Sequence, residues 1–162
     1  MSATGNFNKR FVFIRHAQSK ANANQIHTPD EIINCKITEL GKKQAAQLNF
    51  SFDLLIISPL KRAIETYAHS NIKVKKVIIS DLFQELKVHQ CNMLDNDDHN
   101  GFESMEEIEI RSKNAYDFLM SIPDEYKHIG IISHHDFLNI FFNKNLGLNV
   151  SLNNCNAFYI EK

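Results

Sequence analysis

Phe11-Val12-Phe13-Ile14-Arg15-His16 is the stretch that decides the fold. Four consecutive apolar residues read as a buried strand, and the run ends abruptly in a guanidinium and an imidazole. Working outward, the same pattern returns. Leu54-Leu55-Ile56-Ile57 reads as a second strand and runs into Ser58, Pro59 and Arg62. Val77-Ile78-Ile79 leads toward Glu85, Ile129 to Ile132 leads into His134, His135 and Asp136, and Ala157 to Ile160 is a final strand. Helices fill the intervals: Thr38 to Asn49 despite Gly41, Leu60 to Ala68, Ser104 to Ile122 and Phe137 to Asn145. The third is the best defined. Ser104 and Glu107 form a capping box, Met105, Ile108, Ala115, Phe118, Leu119 and Ile122 recur at helical spacing, and Pro123 stops it. Short apolar strands alternating with helices predict an α/β three-layer sandwich, with a mainly parallel central sheet flanked by helices on both faces.

The 162 residues suit one domain, expected over 11–162, behind a flexible polar tail at 1–10. At 43% hydrophobic and 23% charged residues, the chain can bury a core, which excludes disorder as its main state. Lys and Arg number 18 against 19 Asp and Glu, so no net field draws the protein to nucleic acid or an anionic membrane. Any anion site must come from a few residues placed together. Cys35, Cys91 and Cys155 lie far apart with no CxxC pair, which reads as reduced thiols in a cytoplasmic setting, not a disulfide or zinc framework. No secretory h-region is visible at the start, and no apolar run approaches the about 18 residues that span a bilayer.

In open α/β sheets, ligands bind beyond the carboxyl ends of the strands. Arg15, His16, Arg62, Glu85, His134 and His135 all follow strands, so the topology delivers them to one edge. Guanidinium forks match phosphate oxygens. A neutral imidazole can attack or carry a proton, and a carboxyl group can protonate a leaving oxygen and then take a proton from water. These parts suffice for phosphoryl transfer without a metal. Arg62 in a first helical turn opposes the helix dipole, which hints at an anion partner.

The run from Phe13 to Asn22 resembles the Arg-His-Gly signature of the histidine phosphatase superfamily, the phosphoglycerate mutase-like family. Further likenesses follow in family order: Ile37-Thr38-Glu39-Leu40-Gly41 with Gln44-Ala45, Ser58-Pro59-Leu60-Lys61-Arg62-Ala63 with Thr66, Glu85 at the acid position, Gly101-Phe102-Glu103-Ser104 with Arg111, and Ile132-Ser133-His134. The resemblance implies a phosphoglycerate mutase-like fold and a phosphomonoester hydrolase that works through a phosphohistidine on His16. Arg15, Arg62 and His134 would bind the transferred group, Asn22 would add a polar contact, and Glu85 would serve as acid and then base. No metal or organic cofactor is implied. The substrate would be a phosphorylated small molecule or a phosphoprotein, with neither nucleic acid nor membrane as partner; oligomeric state is not readable. Two alternatives stand beside this one: a phosphohistidine protein phosphatase, and a non-catalytic phosphate-binding module of the same fold.

The chain also departs from the family pattern. Ala17 replaces the usual Gly, a small change if the backbone there is ordinary. His135 replaces the Gly that commonly follows the second histidine, and reads either as a substrate-binding wall of the site or as packing behind it. Lys87 to Gly101 has no period and is expected to be a long loop, with His89 and His99 on its surface. Asn96 to Gly101 with Glu107 mimics calcium-loop spacing, but no helical segment precedes it, so a solvated acidic loop is the reading. Ser58 lacks a nucleophile elbow and is expected to orient the pocket or cap the helix bearing Arg62. The excess of phenylalanine, 12 residues with no Trp, reads as core and not as a stacking platform, since Phe11, Phe13, Phe137, Phe141 and Phe142 sit within strand or helix patterns.

Overall fold

The computed structural model describes residues 8–97 and 101–162. Five strands, β1 (Arg10–Arg15), β2 (Ser51–Ile57), β3 (Lys73–Ile79), β4 (His128–Ser133) and β5 (Ala157–Glu161), form one sheet in the order β3-β2-β4-β1-β5. β1, β2, β3 and β4 run parallel, and β5 pairs antiparallel with β1 at one edge. Among the described residues four α-helices intervene: α1 (Glu39–Ala46), α2 (Lys61–Ala68), α3 (Met105–Met120) and α4 (His135–Leu146). The mainly parallel sheet covered on both faces is as the sequence predicts.

Strand order decides which helix lies where. The chain moves outward from β1 to β2 to β3, then returns to insert β4 between β1 and β2. Right-handed crossovers put helices on opposite faces when the direction of travel reverses. One core accordingly packs Phe11, Phe13, Leu54, Ile56, Ile129 and Ile131 against Ile108, Ala115 and Leu119 of α3 and Phe137, Phe141 and Phe142 of α4. The other packs Val12, Ile14, Leu55, Ile57 and Ile132 against Ala63 of α2 and Leu48 beyond α1. Alternate residues of β1 thus serve opposite faces, the period of a pleated strand. Phe11, Phe13, Phe83, Phe137, Phe141 and Phe142 are buried in the larger core, whereas Phe52 packs in the other and Phe102 is exposed; the Phe13 ring lies 5.0 Å from Phe142, edge-on, and 5.4 Å from Phe141. Burying such a side chain stabilises by about 1.5–3 kcal/mol.

Gly130 allows close packing at the centre of the sheet. A Cβ there would lie 2.4 Å from the Phe52 ring, which occupies that space. Gly41, the residue that weakens the helix prediction, is likewise required: a Cβ would meet the Gln18 carbonyl oxygen at 2.4 Å, so α1 is pressed against the segment that follows His16.

Several boundaries differ from expectation. α1 ends at Ala46, not Asn49, because Gln47 and Leu48 donate to Gln44 and Ala45 in a tighter turn. β3 begins at Lys73, well before the apolar run at Val77; as an edge strand it leaves its lysines in solvent. The expected tail at 1–10 falls largely outside the described residues, but Lys9 already pairs with Lys162, and Arg10 opens β1. All three cysteines are free. Among the described residues, no helix is long and apolar enough to cross a membrane.

Candidate active site

The carboxyl ends of β1, β2 and β4 meet at one edge, and the backbone carries the register past the sheet. His16 N–H donates to the Ser133 carbonyl at 3.0 Å, and Ser58 N–H to the Ile132 carbonyl at 3.1 Å. The rings of His16 and His134 therefore come within 5.0 Å of each other. Both are buried, at 3% and 0% exposure.

His16 has one defined tautomer. Its Nδ1 lies 2.6 Å from the Ala17 carbonyl oxygen, which can only accept, so Nδ1 carries the proton. Arg62 Nε–H donates to Nε2 at 3.3 Å, so Nε2 presents its lone pair. Burial first, then the Arg62 charge, holds the His16 pKa well below its ordinary value, so the ring is neutral at pH 7. Ala17 has an ordinary backbone, absent from the positive-φ residues, and donates its N–H to Thr66 Oγ1 at 2.9 Å. The exchange of Gly for Ala is therefore accommodated.

Arg62 is 3% exposed despite its place in the first turn of α2. Its guanidinium also donates to the Cys91 carbonyl and, at 2.7 Å, to Asn92 Oδ1. Asn92 is itself buried and donates to the Leu86 carbonyl at 2.8 Å. Arg15 donates from Nη1 to the Leu152 carbonyl at 2.9 Å, while its buried Nε–H has no partner. Ser58 partners His134: its Oγ lies 2.7 Å from Nε2. It takes the N–H of Leu60 but does not cap α2; Asn34 Oδ1 takes the Lys61 N–H instead, at 2.8 Å. His134 Nδ1 is buried without a partner, and burial, Arg62 and His16 together hold this imidazole neutral. An unpartnered buried polar atom costs about 1–3 kcal/mol, and two of the three among the described residues lie in this cluster.

Glu85 follows a 3-10 turn at Asp81–Phe83 and inserts its carboxyl group at the N-terminus of α4. Oε1 accepts from the N–H groups of Leu86 (2.9 Å) and Phe137 (2.7 Å), and Oε2 from that of Asp136 (3.1 Å). The carboxyl group thus caps a helix whose N-cap residue, His134, makes no side-chain cap. Burial raises its pKa, with the Asp136 charge adding to the rise and the backbone N–H groups opposing it.

Arg15, His16, Ser19, Asn22, Arg62, Glu85, His135 and Asp136 line one cavity of about 300 Å³. Of the residues expected in the site, all but His134 reach its wall; His134 stands buried behind His16. Asn22 is held by its own turn, its Oδ1 accepting from Ser19 N–H at 3.1 Å and from Asn154 Nδ2 at 3.4 Å. His135 is a wall residue whose ring bridges Asp136 Oδ1 and Ser151 Oγ, each at 2.8 Å.

The sequence reading misses the contribution of the loop after Glu85. His89, Cys91 and Asn92 also line the cavity, so the exposed His89 is not a plain surface residue. His99 lies outside the described residues. Asp97, part of the calcium-like run, is engaged in holding the loop: its Oδ2 accepts from Leu94 N–H at 2.8 Å and from Gln84 Nε2 at 3.3 Å. Among the described residues no three His, Cys, Asp or Glu side chains gather as a metal-ligand set.

A mainly parallel α/β sheet thus gathers two guanidinium groups, a neutral imidazole and a buried carboxyl group around one cavity, a donor set that can hold a phosphate group. The chain belongs to the histidine phosphatase superfamily (branch 1), whose family profile matches residues 11–158. No curated protein matches it. Solved structures do. A proposed alpha-ribazole-5'-P phosphatase from Escherichia coli K-12 superposes with a TM-score of 0.73 at 18% identity, over 95% of this chain and 90% of that one. A phosphoserine phosphatase from Entamoeba histolytica, in complex with 3-phosphoglyceric acid, gives 0.65 at 21% identity, over 93% and 89%. A mycobacterial glucosyl-3-phosphoglycerate phosphatase, Rv2419c, complexed with VO3, gives 0.62 at 15% identity, over 93% and 90%. At these identities the likeness is one of fold.

Proposed function

We propose that this protein is a metal-independent phosphatase that hydrolyses phosphomonoesters through a phosphohistidine on His16. The observation that carries the reading is the tautomer of His16: Nδ1–H is fixed on the Ala17 carbonyl, so Nε2, which accepts from Arg62 Nε–H, is the unprotonated nitrogen of a ring that lines the cavity with two guanidinium groups. Nε2 attacks phosphorus, and the bond from phosphorus to the leaving oxygen breaks. Its electron pair goes to that oxygen, which takes a proton from Glu85. Water then attacks the phosphohistidine and gives a proton to the Glu85 carboxylate, and the P–N bond breaks with its electron pair returning to Nε2.

Arg15 and Arg62 supply the positive charge that the equatorial oxygens require. Arg15 lines the cavity and keeps one donor, its Nε–H, uncommitted. His134 packs behind His16, its ring 5.0 Å away and its Nε2 2.7 Å from Ser58 Oγ, and supports the nucleophile from that side. Asn22 and His135 complete the wall on the substrate side. The substrate is a phosphorylated small molecule or a phosphoprotein side chain. His16→Ala tests the reading: hydrolysis of p-nitrophenyl phosphate is expected to disappear while the circular dichroism spectrum is unchanged. Turnover retained by this variant would remove the mechanism.

A further inference from the structure

Resting on that reading of Glu85 as proton donor, we propose that Arg111 is its positioning residue, acting with Glu103 as a clamp on the segment 81–87. Glu85 stands outside regular secondary structure. The 3-10 turn ends at Phe83, Gln84 is extended (φ −68°, ψ 153°), and no strand ladder holds the carbonyl groups here. Arg111, projecting from α3, takes over that task. Its Nη1 donates to the carbonyls of Leu82 at 3.0 Å and Gln84 at 2.7 Å, with Asp81 at 3.4 Å. Its Nη2 donates to the carbonyl of Glu85 itself at 3.3 Å.

The remaining donors grip Glu103 in a two-pronged pair, Nε to Oε2 at 2.8 Å and Nη2 to Oε1 at 2.9 Å. Glu103 in turn reaches the far side of Glu85. Its Oε1 accepts from Lys87 N–H at 3.2 Å, and its own N–H donates to the Lys87 carbonyl at 3.0 Å. The guanidinium carbon also lies 4.8 Å from the centre of the Phe137 ring. Phe137 is the residue whose N–H makes the shortest bond to the Glu85 carboxylate, 2.7 Å. One side chain therefore touches the backbone that carries the carboxyl group and the residue that anchors its oxygen.

Arg111 is half-buried, and its donors are spent on this one short segment and on Glu103. A proton donor must be held within about 0.5 Å of its productive place. A plain structural tie would lower stability when cut and depress every substrate alike. A positioning tie has a different signature, because proton donation matters for a poor leaving group and little for a good one.

The test compares kcat/KM for 2-phenylethyl phosphate, a poor leaving group, with that for p-nitrophenyl phosphate, a good one. Wild type, Arg111→Met, Glu103→Gln, Glu85→Gln and the Arg111→Met/Glu85→Gln double variant are measured. The alkyl-to-aryl ratio does not depend on the fraction of folded enzyme. We expect Arg111→Met to lower the ratio about ten-fold or more, part of the 10²–10⁴ typical of general acid catalysis. Glu103→Gln is expected to lower it in the same direction, and Arg111→Met to add nothing once Glu85 is Gln. An unchanged ratio in Arg111→Met overturns the inference, and so does a further drop in the double variant. If Arg111→Met yields no soluble protein, Glu103→Gln decides alone, and an unchanged ratio there overturns it. If Glu85→Gln itself leaves the ratio unchanged, the assignment of the acid fails, and the clamp falls with it.

Discussion

Acidification should destabilise this protein through its two site histidines. His16 and His134 are buried and held neutral, chiefly by burial and then by Arg62. In the unfolded chain each imidazole titrates at its ordinary value, about 6.5. Below that pH the unfolded chain binds protons that the folded state does not, so stability is fully present above about 6.5 and falls as the pH is lowered. The loss continues until the depressed folded-state pKa is reached. With the folded imidazoles neutral throughout, lowering the pH from 7 to 5.5 costs about 1.2 kcal/mol per ring, or about 2.5 kcal/mol for the pair. Glu85 acts in the opposite sense. Its raised pKa lets the folded state take up a proton before the unfolded chain does, which restores some stability on acidification. The histidine contribution is isolated by comparing the urea-unfolding free energies of wild type, His16→Gln and His134→Gln between pH 7 and 5.5. Each variant should lose about 1.2 kcal/mol less on acidification than wild type. Equal losses in all three proteins would refute the claim that these rings are buried neutral.

The same shifts set the pH–rate profile. Attack needs His16 neutral and Glu85 protonated, forms that barely coexist at ordinary pKa values because the histidine value lies above the glutamate value. Burial moves both in the useful direction, His16 down and Glu85 up, so kcat/KM for an alkyl phosphate should be bell-shaped with its optimum on the acid side of neutrality. Glu85→Gln should abolish the alkaline limb; a limb that persists in this variant belongs to another group. Away from the site, Gly130→Ala places a methyl group 2.4 Å from the Phe52 ring and should cost about 1–3 kcal/mol, read as a fall in Tm. An unchanged Tm would mean that the ring moves freely aside.

What the sequence discloses and what it hides have separable physical causes. Phe11 to Ile14, Leu54 to Ile57 and Ile129 to Ile132 are buried on both faces, so continuous apolar runs mark them and place Arg15, His16, Arg62 and His134 at one edge. β3 is half hidden because an edge strand exposes Lys73, Lys75 and Lys76, which interrupt the apolar signal. The loop segment 87–97 is opaque for another reason. It docks through individual polar bonds, Asn92 to Arg62 and Asp97 to Gln84, and such bonds leave no period. Asn154, which donates to the His16 carbonyl at 3.0 Å, is hidden in the same way. Glu85 is placed by motif context alone; that its carboxyl group caps α4 emerges only when Phe137 N–H is seen pointing at it. The burial of His134 behind His16, with Ser58 as its partner, also required three strand ends to be set side by side.

The most direct test is to trap the enzyme during turnover. Rapid quenching with a radiolabelled phosphomonoester should leave label on the protein that is lost in acid and retained in alkali, and peptide mapping should locate it on His16. Label on a serine, or label that survives in His16→Ala, would contradict the account.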